Sequence, residues 1–85
     1  GLELLEKAVV QLVLALELTG GDPVVSEHLG DVYLLLDEPR RALDYYEQAV
    51  AMDPRVDEQP DLREKLETLR RELGSSVDGE ALEFR

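Results

Sequence analysis

The chain is short and strongly acidic: its 85 residues include 20 Asp and Glu against 9 Lys and Arg, for a net charge of −11. This length leaves no room for a two-domain enzyme, and the negative charge repels the phosphates of nucleic acids and anionic membranes, so neither is expected as a partner. With no cysteine and one histidine, the sequence also offers neither disulfides nor thiolate metal sites.

The first apolar stretch is typical of neither a signal peptide nor a membrane span. Glu3 precedes it and Lys7 and Glu17 interrupt it, whereas both kinds of segment need an uninterrupted apolar run. Gly1 stands in place of an initiating Met. We therefore interpret the chain as a piece of a longer protein and favour a cytoplasmic location.

Helical periodicity, together with glycine and proline, predicts four helices and no strand. The predicted helices span about residues 2–19, 24–36, 39–52 and 60–73. The fourth carries a narrow leucine stripe and is otherwise polar, as expected of the helix that ends a helical array. Residues 75–85 show no regular period and are predicted to form a disordered tail, in which Leu82 and Phe84 are candidates for docking into a groove.

Local signals mark the helix boundaries. Gly20 and Gly21 are expected to stop the first helix, because glycine readily adopts the left-handed conformation of a helix C-terminus. Asp22 is an expected N-cap for the second helix, and Pro23 suits its first turn. Gly74 is expected to stop the fourth helix in the same way as the first.

The sequence also repeats itself. A shift of 34 residues carries Ala8, Leu12, Ala15, Leu16 and Leu18 onto Ala42, Tyr46, Ala49, Val50 and Met52. Small residues fall on small ones and large apolar residues on large apolar ones. The first helix therefore corresponds to the second half of a repeat, and residues 23–56 form one complete unit.

This unit carries a specific repeat signature. The matching residues are Leu29, Gly30, Tyr33, Ala42, Tyr46, Ala49 and Pro54. At this spacing the unit resembles the tetratricopeptide repeat (TPR) family, with departures at Ser26, where an aromatic residue is usual, and at Asp37, where a turn glycine is common. The resemblance implies an antiparallel helix-hairpin α-solenoid within residues 1–74, in which a half-repeat precedes the complete repeat and a capping helix follows it.

The resemblance also implies a protein–protein interaction scaffold without catalysis. In this family the first helix of each pair lines a concave groove that binds an extended peptide or a partner helix. The corresponding residues here are Val24, Glu27, His28, Asp31, Leu34 and Leu35. An acidic floor with an apolar rim favours a peptide that carries Lys or Arg beside a hydrophobic anchor. The alternative is that these charges form an ordinary solvated face.

Metal binding and catalysis are not expected. Glu27, His28 and Asp31 share a helix face but provide at most two metal contacts, whereas a metal site needs three or four ligands. No phosphate-binding loop and no nucleophile–base pair occurs in the sequence. We therefore predict no cofactor, no metal and no enzymatic activity.

The first helix suggests a second function, because it is apolar nearly all round and such helices are normally buried. Self-association would cover it, with Val9, Val10, Val13 and Leu14 as the contact residues of a homodimer. A regulatory appendage of a larger protein is a further alternative.

Overall fold

The protein is an all-α domain, as predicted. The structure is a computed structural model that describes the backbone of residues 1–55 and 59–83 and the side chains of residues 1–55 and 59–74. Within these ranges it contains four α-helices and no strand: α1 (Leu2–Thr19), α2 (Pro23–Leu35), α3 (Pro39–Met52) and α4 (Pro60–Glu83). The bounds of the first three helices agree with the sequence prediction to within one residue.

The turn between α1 and α2 uses the predicted glycine stop and aspartate cap. Gly20 has a φ of 72°, and the backbone N–H groups of Gly20 and Gly21 donate to carbonyls in the last turn of α1. Asp22 then accepts a hydrogen bond of 2.8 Å from the backbone N–H of Val24. Backbone and cap hydrogen bonds therefore close the connection, and α2 folds back along α1.

The turn between α2 and α3 uses a residue that is not glycine. Asp37 has a φ of 59°, in the left-handed region that Asp tolerates better than most residues. Its N–H donates to the carbonyl of Leu34 at 3.0 Å, and the N–H of Glu38 donates to that of Tyr33 at 2.9 Å. Asp37 thus closes the turn in a backbone conformation that glycine adopts more readily, and Pro39 begins α3.

Helices α2 and α3 form an antiparallel hairpin, with α1 packed on α2 and α4 packed on α3. The side chains that are buried in the core come from the last three helices; they are Leu29, Tyr33, Ala42, Tyr46, Ala49, Leu62, Leu66 and Leu69. Side chains of α1, among them Leu12 and Leu16, are half-buried against this core.

Two small residues of α2 set its distance from α3. A Cβ added to Gly30 would overlap the ring of Tyr46, so only glycine permits this crossing. Ser26 is fully buried and donates a hydrogen bond of 2.6 Å to the carbonyl of Tyr45. Its hydroxyl is therefore satisfied without a bulky side chain.

Helix α4 does not end at Gly74 as predicted; it continues to Glu83. A glycine stop needs a positive φ, which Gly20 and Gly21 have and Gly74 does not. A glycine inside a helix costs only about 0.5–1 kcal/mol relative to alanine, too little to end a helix by itself. The helical backbone also differs from the disordered tail predicted for residues 75–85, while the side chain of Leu82 and the whole of Phe84 lie outside the described residues.

Candidate partner-binding groove

The six α2 residues predicted to bind a partner share one face of the helix, and none of them is buried. At about 3.6 residues per turn they fall within one third of the helix circumference. This set comprises Val24, Glu27, His28, Asp31, Leu34 and Leu35. Val24, His28 and Leu35 form its exposed outer edge, whereas Glu27 and Asp31 are half-buried on the edge near α4.

An open groove of about 420 Å³ lies between this face and α4. Leu34 of α2 lines one side, and the other side is formed by a row of α4 residues: Asp61, Glu64, Lys65, Thr68, Leu69 and Glu72. The groove thus combines two leucines with three carboxylates and one ammonium group. Its lining is apolar in part and carries net negative charge.

The carboxylates of α4 follow the helix axis. Glu64 and Glu72 are separated by two turns, about 12 Å at about 1.5 Å per residue, and Asp61 precedes Glu64 by almost one turn. All three side chains are exposed. A ligand that runs along the groove would therefore meet negative charge at both ends of the leucine contact.

The single ammonium group of the groove is held by α2. Lys65 Nζ donates to Asp31 Oδ1 at 2.7 Å and lies 3.9 Å from Glu27 Oε2. It also lies 5.6 Å from the centre of the Tyr46 ring, within the range of a cation–π contact. The same Asp31 oxygen accepts a hydrogen bond of 2.5 Å from the Tyr46 hydroxyl. We call Glu27, Asp31, Tyr46 and Lys65 the Lys65 cluster; it joins α2, α3 and α4.

Burial, with the hydrogen bond to Asp31 as the next cause, raises the pKa of the Tyr46 hydroxyl far above its ordinary value. The phenol therefore keeps its proton over the whole physiological range and can act as the hydrogen-bond donor to Asp31. Asp31 consequently has two fixed donors, one from α3 and one from α4.

The Lys65 cluster changes the interpretation of the predicted acidic floor. Glu27 and Asp31 were expected to be open to a ligand, but both lie against Lys65. Neither is among the residues that line the groove, whose carboxylates are those of α4. The carboxylates that line this groove therefore belong to α4 and not to the predicted set on α2.

Sequence reasoning did not place any α4 residue in the site, although a signal was available. The leucines of α4 align with the core residues of α2 at a shift of 33 residues. That shift also maps His28, Asp31 and Leu35 onto Asp61, Glu64 and Thr68, which line the groove. Extending the groove positions of α2 to α4 would have identified three of the six α4 residues that line the groove.

The predicted self-association residues of α1 fall into two pairs. Val10 and Leu14 are 60% and 52% exposed. Val9 and Val13 are half-buried and pack against the core. Leu18, which was not in the predicted set, is 87% exposed and continues the line of Val10 and Leu14 along the helix.

The described residues contain no group of three or more side chains suited to hold a metal ion. Nor is any helix in the described parts of the chain both long enough and apolar enough to cross a membrane.

No protein family, curated protein or solved structure matches this chain in sequence or fold comparisons. The resemblance to the TPR family therefore stays a prediction. Function has to be argued from the groove and from the exposed surface of α1.

Proposed function

We propose that the protein is a non-catalytic interaction module that binds a basic segment of a partner protein in the groove between α2 and α4. The observation that carries this proposal is the lining of that groove, where Leu34 and Leu69 lie beside three carboxylates. An apolar anchor of the partner would contact mainly Leu34, which is 37% exposed, because Leu69 is almost fully buried. Lys or Arg on either side of the anchor would pair with Glu64 and Glu72.

The charge of the whole chain supports the same partner. A net charge of −11 attracts a basic segment from a distance and raises its association rate at low salt. The separation of Glu64 and Glu72, about 12 Å, suits two basic residues seven or eight positions apart in a helical partner. In an extended partner the same distance corresponds to three or four positions.

The arrangement of the helices supports an α-solenoid of TPR type. Lys65 and Asp31 are 34 positions apart and make a hydrogen bond. Contacts at that separation are expected if α2 and α4 are the first helices of successive repeats, because each repeat then stacks on its neighbour. On this proposal α1 is the second helix of a preceding repeat.

Fluorescence anisotropy with a panel of labelled octapeptides tests the proposed groove. Each peptide carries two Leu and two Lys or Arg at varied spacing, and a matched panel carries Glu in place of the basic residues. We expect the basic panel alone to bind. The double variant Glu64→Lys, Glu72→Lys should lower affinity at least about tenfold, since two attractive contacts become repulsive.

The control is the double variant Glu3→Lys, Glu17→Lys, which makes the same change in net charge at two exposed positions of α1. It should lower affinity much less. Equal losses in both double variants would mean that binding is a non-specific charge effect. If no basic peptide binds the wild-type chain, the proposal is wrong.

The exposed line of Val10, Leu14 and Leu18 favours a second candidate, a homo-oligomerisation module. Light scattering over a hundredfold range of concentration tests it. A mass that rises from the 9.6 kDa of one chain towards twice that value, and does not rise for Leu14→Glu, would support self-association. A constant single-chain mass would exclude it over that range.

A further inference from the structure

The Lys65 cluster has the form of an occupied binding site for an ammonium group. Two carboxylates approach Lys65 Nζ, Asp31 at 2.7 Å and Glu27 at 3.9 Å, and the ring of Tyr46 lies 5.6 Å away. Opposite charge combined with an aromatic face is the chemistry by which proteins recognise the side chain of lysine or another organic cation. In the free chain, α4 itself supplies that cation.

Lys65 can leave this position without loss of the fold. Its side chain is 33% exposed and that of Asp31 is 39% exposed, and ion pairs at such exposure contribute little to stability. The attachment of α4 depends instead on Leu62 and Leu66, which are almost fully buried. The ammonium group is also carried on a flexible stem with several accessible rotamers.

The cluster lies beside the proposed groove, because Lys65 belongs to both: it lines the groove and it pairs with Asp31. A basic residue of a ligand in the groove would therefore come close to the carboxylates that Lys65 occupies. Lys65 and the basic residue of the ligand cannot both make a full hydrogen bond to the same carboxylate oxygen.

We propose that Lys65 is an internal competitor, whose ammonium group a Lys or Arg of the bound segment displaces from Asp31 and Glu27. This inference rests on the proposed function of the groove. Lys65 lowers the affinity of the free protein for basic segments, since part of the attraction between ligand and groove replaces an existing ion pair. It also selects for ligands whose basic residue reaches the cluster, and so sets specificity.

Lys65→Met tests this proposal, because it removes the charge and keeps an unbranched apolar stem over Tyr46. Lys7→Met is a matched control, since Lys7 and Lys65 are the two lysines of the chain and both variants change the net charge equally. The probe is the basic octapeptide that binds the wild-type chain best. Lys65→Met should bind it about threefold to tenfold more tightly than Lys7→Met does, as Asp31 and Glu27 become free. Adding Asp31→Asn to Lys65→Met should remove most of that gain.

Nuclear magnetic resonance of the wild-type chain provides a second test that does not depend on the stability of a variant. With ¹³C-labelled lysine, the chain has two ε-carbon signals, one from each lysine. Addition of the same octapeptide should shift the Lys65 signal towards that of a solvated lysine and leave the Lys7 signal in place.

An affinity of Lys65→Met no higher than that of Lys7→Met, or a Lys65 signal that is unchanged at saturation, would overturn the proposal. Either of these two results can occur while the wild-type chain still binds basic octapeptides through Glu64 and Glu72. In that case the proposed function of the groove is supported, and only the proposal that Lys65 is an internal competitor is wrong. If no basic octapeptide binds, both proposals fail.

Discussion

Helices α1 and α4 flank the same α2–α3 hairpin, and they pack in opposite ways. α1 is apolar nearly all round, yet none of its residues is buried. α4 is polar over most of its described surface, yet Leu62, Leu66 and Leu69 are at most 4% exposed. Burial in this domain therefore depends on whether an apolar stripe fits between its neighbours.

The difference has a geometric cause. The narrow leucine stripe of α4 is no wider than the surface that the hairpin offers, so its apolar side chains are fully covered. The apolar surface of α1 is broader than the contact with α2 and the core, so Val10 and Leu14 remain outside it. Hydrophobicity alone consequently overestimates what α1 contributes to stability.

The largest expected effect is the contrast between Leu66→Ala and Leu14→Ala. Leu66 is 1% exposed, so its truncation leaves a cavity and should lower the free energy of unfolding by about 2–5 kcal/mol. Leu14→Ala should cost less than about 0.5 kcal/mol, as for an ordinary surface position. Urea unfolding followed by circular dichroism measures both. A cost at Leu14 that is equally large and grows with protein concentration would show that a second copy covers α1.

The next largest effect is the contrast between Gly30, which lies against a buried ring, and Gly74, which faces open space. Gly30→Ala places a methyl group against the buried ring of Tyr46 and should destabilise the hairpin that supports both outer helices by about 1–3 kcal/mol. Gly74→Ala meets nothing within 4 Å and should stabilise α4 by about 0.5–1 kcal/mol through helix propensity. Thermal melts of the two variants give the signs. A destabilising Gly74→Ala would contradict the continuation of α4 beyond this residue.

The smallest effect concerns the Lys65 cluster, in which the hydroxyl of Tyr46 on α3 donates to Asp31 on α2. Tyr46→Phe removes the hydrogen bond to Asp31 and should cost about 1 kcal/mol at pH 7. Burial raises the pKa of Tyr46 in the folded chain, whereas a tyrosine in the unfolded chain has a pKa of about 10. Above about pH 10 the unfolded chain therefore loses a proton that the folded chain retains. Wild-type stability should therefore fall as the pH rises past that value.

The pH dependence has its own control. Tyr46→Phe should reduce the alkaline loss of stability, whereas Tyr45→Phe, which leaves the contact with Asp31 in place, should retain most of it. Urea unfolding from pH 8 upward compares the three proteins. Identical slopes in wild type and Tyr46→Phe would remove Tyr46 as the cause.

Much of the fold could be predicted from local signals. The bounds of α1 follow from helical periodicity and the left-handed Gly20, and the start of α2 follows from the Asp22 cap, because these features need only neighbouring residues. Gly74 is the exception, since the helix passes through it and a local stop signal is only a weak preference.

The candidate site could be predicted only in part, for the same reason. Sequence periodicity placed Glu27, Asp31 and Leu34 on one face of α2, and that face does adjoin the groove. The packing of α4 determines which of these side chains is open to a ligand, because Lys65 of α4 pairs with Asp31, 34 positions earlier in the chain. The direction of a side chain is a local property of its helix. Its partner depends on how the helices stack, and only the tertiary structure supplies that.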